Sequence, residues 1–244
     1  MPQYANINSV YSVVKDILNK QQLGFITPQQ FNVFAPQAQK ELVDEILELI
    51  QRYARVKQRM LDDHNSTTIK GLRDDIYTLL VYNEQLALSS GTNIFSYPER
   101  YQYVEGLTCN NANVDIIQPN EAAYHINNYF TPPTNAKPIA ILSSLNITVF
   151  PVDLVNDIFI TYYKNPMGSQ NGTGVNQPPS WQFTQVGEDL LYNAVTSVDF
   201  ELPKSVEQKL AYKVLALAGF SIREPEAVQF ANAQEQKDKV TENE

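Results

Sequence analysis

At 244 residues, 43% of them hydrophobic and 18% charged, the chain can bury about 70% of its unfolded surface without help from a metal or a disulfide. Its 14 Tyr, 11 Phe and 14 Pro favour a β-rich or interface-rich protein, and its single cysteine, Cys109, excludes an intramolecular disulfide and any cysteine-built zinc or iron–sulfur site. The net charge of −9 repels phosphate backbones, so nucleic-acid affinity by counterion release is excluded, although DNA passing nearby is not.

The spacing of Val10, Val13, Val14, Ile17 and Leu18 predicts a short opening helix that stops at Leu23-Gly24. This start has neither a basic leader nor an uninterrupted apolar run, and no later stretch approaches the roughly 20 apolar residues of a membrane span. Neither signal-peptide secretion nor membrane insertion is expected, and the N-x-S/T matches at Asn65, Asn146 and Asn171 then carry no glycosylation meaning.

Thr27-Pro28-Gln29-Gln30 combines a capping hydroxyl, a first-turn proline and a glutamine three residues after the cap. It predicts a second helix with an apolar stripe from Phe31 to Met60, kinked or broken near Ala35 by Pro36. A third helix is expected from Ile69 to Leu88, joined to the second by the polar link 62–68 as an antiparallel hairpin.

From about Ser89 the texture turns to Pro, Asn, Tyr and β-branched residues, and 140–142, 147–150 and 157–163 have strand character. Residues 120–128 suit a turn or two of helix, and the stretch 165–174 reads as a long exposed loop. Helix restarts at Pro203 with Val206, Leu210, Val214 and Leu217 and should end at Gly219; a last helix from Glu224-Pro225 runs through Val228 and Phe230 into a polar end. The sum is an α+β fold: a helical bundle scaffold (N-terminal helical hairpin plus C-terminal helices) with an inserted antiparallel β region, divided into 1–92, 93–202 and 203–244.

No catalytic constellation emerges. Asp62-Asp63-His64 carries ligand-type side chains, but consecutive loop residues rarely converge on one ion, and Glu121 with His125 shares a helix face without a further His to complete a site. Gly168 to Gly174 lacks the Lys-Ser/Thr of a phosphate cradle, Cys109 is flanked by Asn rather than by a base, and the carboxylate pairs (Asp74-Asp75, Asp153 with Asp157, Glu188-Asp189) define no glycosidase geometry. No catalytic residue, metal or cofactor is expected. The clusters Tyr97, Tyr101, Tyr103 and Tyr162, Tyr163, Trp181, Phe183 suit core, protein–protein anchors or a sugar platform.

The order GFITPQQFNVFAPQAQKELVDEIL, then Tyr97-Pro98-Glu99-Arg100-Tyr101, NAKPIAILSSLNITVFP, DIFITYYKNP with Pro-Pro-Ser-Trp, and FELPKSVEQKLAYKVLALAGFSIREPE resembles head–tail connector (ring or adaptor) proteins of tailed phages. The closest likeness is to virion proteins of crAss-like podoviruses, and it covers most of the chain. The resemblance implies a dodecameric ring beneath the portal, in the neck or tail of a virion whose proteins are made in the host cytoplasm. It implies helices packed around the axis, β or loop elements meeting the next tail ring, and a lumen that DNA crosses without specific binding.

A ring needs unlike surfaces that meet head to tail, and Tyr162, Tyr163 and Trp181 are candidate interface anchors. The resemblance also implies that the polar C-terminal helix docks on the portal through Ile222, Val228 and Phe230. Glu41, Asp44, Glu45 and Glu48, on the polar face of the second helix, are candidate lumen acids. Two other expectations are carried: a receptor- or glycan-binding tail component using the Tyr/Trp cluster and the 168–180 loop, and a cell-wall hydrolase.

Overall fold

The computed structural model describes residues 3–20, 25–59, 64–90, 93–109, 112–152, 157–170, 172–186 and 189–222. Asn6 opens helix α1 (Ile7–Lys20): its side-chain oxygen accepts the backbone N–H groups of Asn8 and Ser9 at 3.0 and 3.1 Å. The buried face is Ile7, Val10, Tyr11, Val14 and Leu18; Val13, counted in the expected face, is exposed. The expected stop at Leu23-Gly24 lies outside the described residues.

Helix α2 (Pro28–Arg59) starts with a reciprocal capping box, the Gln30 N–H donating to Thr27 Oγ1 at 3.2 Å and the Thr27 N–H to Gln30 Oε1 at 3.0 Å. It runs through Pro36 without the expected break. One backbone donor is lost there, but Phe31 and Ala35 before the proline and Ala38 and Leu42 after it are all buried, and that continuous packing outweighs a cost of about 3 kcal/mol.

Helix α3 (His64–Asp75) ends well short of Leu88, and a 3-10 turn at Tyr77–Leu79 follows. Ile76 and Leu79 are fully buried, and from Leu80 the chain is strand β1 (Leu80–Gln85), drawn out of helix by pairing with β8 (Ile158–Lys164), where Leu80 faces Tyr163.

The chain divides into two compact units, 80–165 and 1–79 with 166–244, against the 1–92, 93–202 and 203–244 read from composition. The first holds β1, β2 (Leu88–Ser90), β3 (Ile94–Ser96), β4 (Tyr101–Cys109), β5 (Ala112–Ile117), α4 (Ala122–Ile126), β6 (Ile139–Leu142), β7 (Asn146–Phe150) and β8. These strands make one curled sheet in the order β1-β8-β4-β5-β6-β7-β3-β2. Every pair is antiparallel except β5 with β6, where Asp115, Ile116 and Ile117 run alongside Ile139, Ala140 and Ile141. A parallel pair needs a crossover of a dozen residues or more, which 118–138 supplies. Its core alternates along the strands: Ile147 and Val149 from β7, Ile158 and Ile160 from β8, Leu107 and Cys109 from β4.

The second unit contains α1 to α3, α5 (Glu207–Ile222) and the short strands β9 (Gly168–Gln170), β10 (Thr173–Val175), β11 (Phe183–Val186), β12 (Asp189–Tyr192) and β13 (Asp199–Phe200). Helix α2 packs on α3 and α5, and α1 on α5. The sheets are β10-β9-β13 and the ribbon β11-β12. The 165–174 stretch is therefore not an exposed loop: Gly168 and Ser169 are buried in β9, and Gly172, at φ +77°, closes the turn to β10.

Helix α5 passes through Gly219 to Ile222, and the helix expected from Glu224 lies outside the described residues. The helical bundle scaffold with an antiparallel insertion is overturned: the dominant element is an eight-stranded mixed sheet curled into a half-barrel, and the described residues also form five helices. Strands of two to four residues, such as β9 and β13, carry too few side chains to show a period in sequence.

Candidate functional site

Trp181 is 4% exposed and sits on Tyr11 (ring centroids 4.6 Å), Phe183 (5.8 Å) and Tyr192 (5.9 Å). Its indole N–H donates to Asn8 Oδ1 at 3.0 Å, its backbone N–H donates to Asn32 Oδ1 at 2.7 Å, and its carbonyl accepts from Asn32 Nδ2 at 2.9 Å. It thus joins α1, α2 and the β11–β12 ribbon and presents no open ring face to a sugar. Tyr163 and Tyr162 are buried in β8 as well. The Tyr162 hydroxyl donates to Glu84 Oε2 at 2.8 Å, and burial first, then that hydrogen bond and the carboxylate charge, push its pKa well above the usual phenol value.

Of the four acids on α2, Glu41 accepts from Gln37 at 2.9 Å, Glu48 pairs with Arg52 at 3.3 Å, and Glu45 turns toward α5, bonding the buried Lys213 ammonium at 2.8 Å. Asp44 is exposed. Ile222 ends α5, whereas Val228 and Phe230 lie outside the described residues, as do Asp62 and Asp63. Glu121 precedes α4 and is exposed, His125 stacks edge-on against Tyr124, and Cys109 is fully buried. Among the described residues no group of three His, Cys, Asp or Glu side chains is placed to hold a metal, and no helix is long and apolar enough to cross a membrane.

Two surfaces stand out on the described residues. In the 80–165 unit, Tyr124, Tyr129 and Phe130 are 74%, 91% and 90% exposed. The local chemistry forces this display. Asn128 Oδ1 accepts the N–H groups of Phe130 and Thr131 at 3.0 and 3.3 Å, an Asx turn that Pro132-Pro133 continues, so the segment satisfies its own backbone and pairs with no strand. Thr134 and Lys137 then bridge to each other just before β6. Beside the rings lies a pocket of ≈ 360 Å³ lined by Asp115, His125, Phe130, Pro132, Lys137 and Ile139 among others.

The second surface belongs to the other unit. Leu190 and Leu191 on β12 and Val195 just after it are exposed, the last held in an Asx turn by Asn193 Oδ1, which accepts the Val195 N–H at 3.1 Å. The ribbon is rooted on Trp181, Phe183 and Tyr192. Sequence reasoning favoured the aromatic residues that prove buried and passed over both surfaces. The signal for the first was aromatic residues among Asn and Pro with neither a two- nor a four-residue period, hence no face to bury.

A smaller cleft of ≈ 260 Å³ at the start of α1 is lined by Tyr4, Ser9, Asp199, Lys204 and Glu207 among others. Two of its carboxylates are spent on the helix: Asp199 Oδ1 accepts the Ile7 N–H at 2.8 Å and Glu207 Oε1 the Asn6 N–H at 3.0 Å. Burial raises the Asp199 pKa, opposed by the Ile7 hydrogen bond and reinforced by the Glu207 charge. No protein-family model matches the chain, and no curated protein matches it.

Proposed function

We propose that the chain is a structural virion protein: a ring-forming head–tail connector, or adaptor, that joins the portal to the tail and forms part of the channel through which DNA is ejected. The observation that supports it best is the presence of two unlike exposed apolar surfaces, the Tyr124/Tyr129/Phe130 rings and the Leu190/Leu191/Val195 ribbon, on different units of one chain. Head-to-tail contacts that close by rotation require that unlikeness. The phrase order along the chain favours the phage connector among ring proteins, and a charge of −9 repeated around a ring, twelve copies in this proposal, lets DNA slide through without sticking. Its partners are further copies of itself, the portal protein and the next tail ring. Quantitative peptide mass spectrometry of purified particles tests the proposal: a near one-to-one ratio to the portal protein is expected, and absence from the particle discards it.

A further inference from the structure

We infer that the aromatic surface of one copy is the docking site for the β11–β12 ribbon of a second copy. This deepens the proposed ring and rests on it, naming the two surfaces that join neighbouring subunits. Tyr124, Tyr129 and Phe130 expose about 500 Å² between them, with the Tyr129 and Phe130 rings in contact at 5.6 Å, and that is more than half of the about 800 Å² per partner in a stable interface.

The pocket beside Phe130, ≈ 360 Å³, is more than twice the about 150 Å³ that suffices for a benzene ring, so it has room for a leucine side chain. The ribbon supplies one. Leu190 and Leu191 are consecutive strand residues and point to opposite faces, so whichever face turns to the pocket carries an exposed leucine.

The pocket lining sets Lys137 and His125 beside one acid, Asp115, while 183–195 contains Glu188 and Asp189 and no base, so the ribbon's acids meet a cation at the pocket. Pairing the aromatic surface with its own copy would give a two-fold dimer and leave the ribbon's leucines uncovered; pairing it with the ribbon covers both and propagates head to tail.

The test uses the full chain with a photo-reactive benzoylphenylalanine in place of Tyr129. Irradiation of the purified oligomer should yield a crosslink to residues 183–195 of a second copy, mapped by mass spectrometry. In parallel, sedimentation velocity should show Phe130→Ser and Leu191→Ser each weakening self-association about tenfold or more. Because both side chains are exposed, the unfolding midpoint should not move. Lys137→Glu should weaken assembly and Asp189→Lys should restore it.

Crosslinks elsewhere in a second copy, crosslinks only to another virion protein, or unchanged assembly of Phe130→Ser each overturn the contact. The particle ratio separates this from the ring itself. A one-to-one ratio with crosslinks elsewhere rejects the contact and leaves the ring, and absence from particles with the expected crosslink rejects the connector and leaves the contact.

Discussion

Gly168 carries a hydrogen where another residue would carry a Cβ, and the space is taken: a Cβ there would overlap Val198 Cγ1 and lie 2.7 Å from the Gln177 carbonyl oxygen. Gly168→Ala should therefore cost about 1–3 kcal/mol, read as a lower urea midpoint at unchanged slope. Asp199 is a second residue whose surroundings decide its behaviour. Burial raises its pKa above 3.8, so over the window between the two values the folded chain holds a proton that the unfolded chain has lost, and the stability this group contributes falls as pH rises through it. Asp199→Asn keeps an acceptor for the Ile7 N–H and removes the charge. The difference in thermal midpoint between variant and wild type should grow in the variant's favour from about pH 3 to pH 7.

At the scale of elements, the capping box at Thr27 and the apolar faces of α1 and α2 were legible because local side-chain chemistry dictates them. The third helix was overextended because Leu72, Ile76, Leu79 and Leu80 keep helical spacing across a point where partnership with β8, far along the chain, takes over. The β9–β10 turn left a signal, Asn171-Gly172 between Gln170 and Thr173, but three-residue strands gave it no alternating flanks. Trp181 shows how a single side chain can unite elements. Trp181→Ala should cost about 3–5 kcal/mol. Hydrogen exchange should quicken in α1 and at the root of the β11–β12 ribbon, with Trp181→Phe milder; equal exchange in the two variants would argue against the role given to its ring contacts.

At the scale of the molecule, each unit has its own core, so damage should stay local. Ile147, fully buried in the sheet, is a clean probe: Ile147→Ala should cost about 2–5 kcal/mol and quicken hydrogen exchange through 80–165 while α2 and α5 keep theirs. Loss of protection in both units would refute separate cores. The half-barrel was not legible because strand order is a property of pairings such as β1 with β8, whose paired residues, from Gln85 with Phe159 to Leu80 with Tyr163, lie too far apart for any local window to contain both.

The clasp at the front of the second unit sets an order of events. Residues 3–7 run antiparallel to 199–204: the Ala5 N–H donates to the Leu202 carbonyl at 2.8 Å, the Lys204 N–H to the Gln3 carbonyl at 2.8 Å, and Tyr4 bridges Pro203. Ile7 and the carboxylate that receives its N–H are separated by 192 residues. At about 5–20 residues per second on the ribosome, that gap is about 10–40 s of translation. All eight strands of the large sheet are made within it, so the nascent chain can finish its middle before the carboxylate that receives the Ile7 N–H exists.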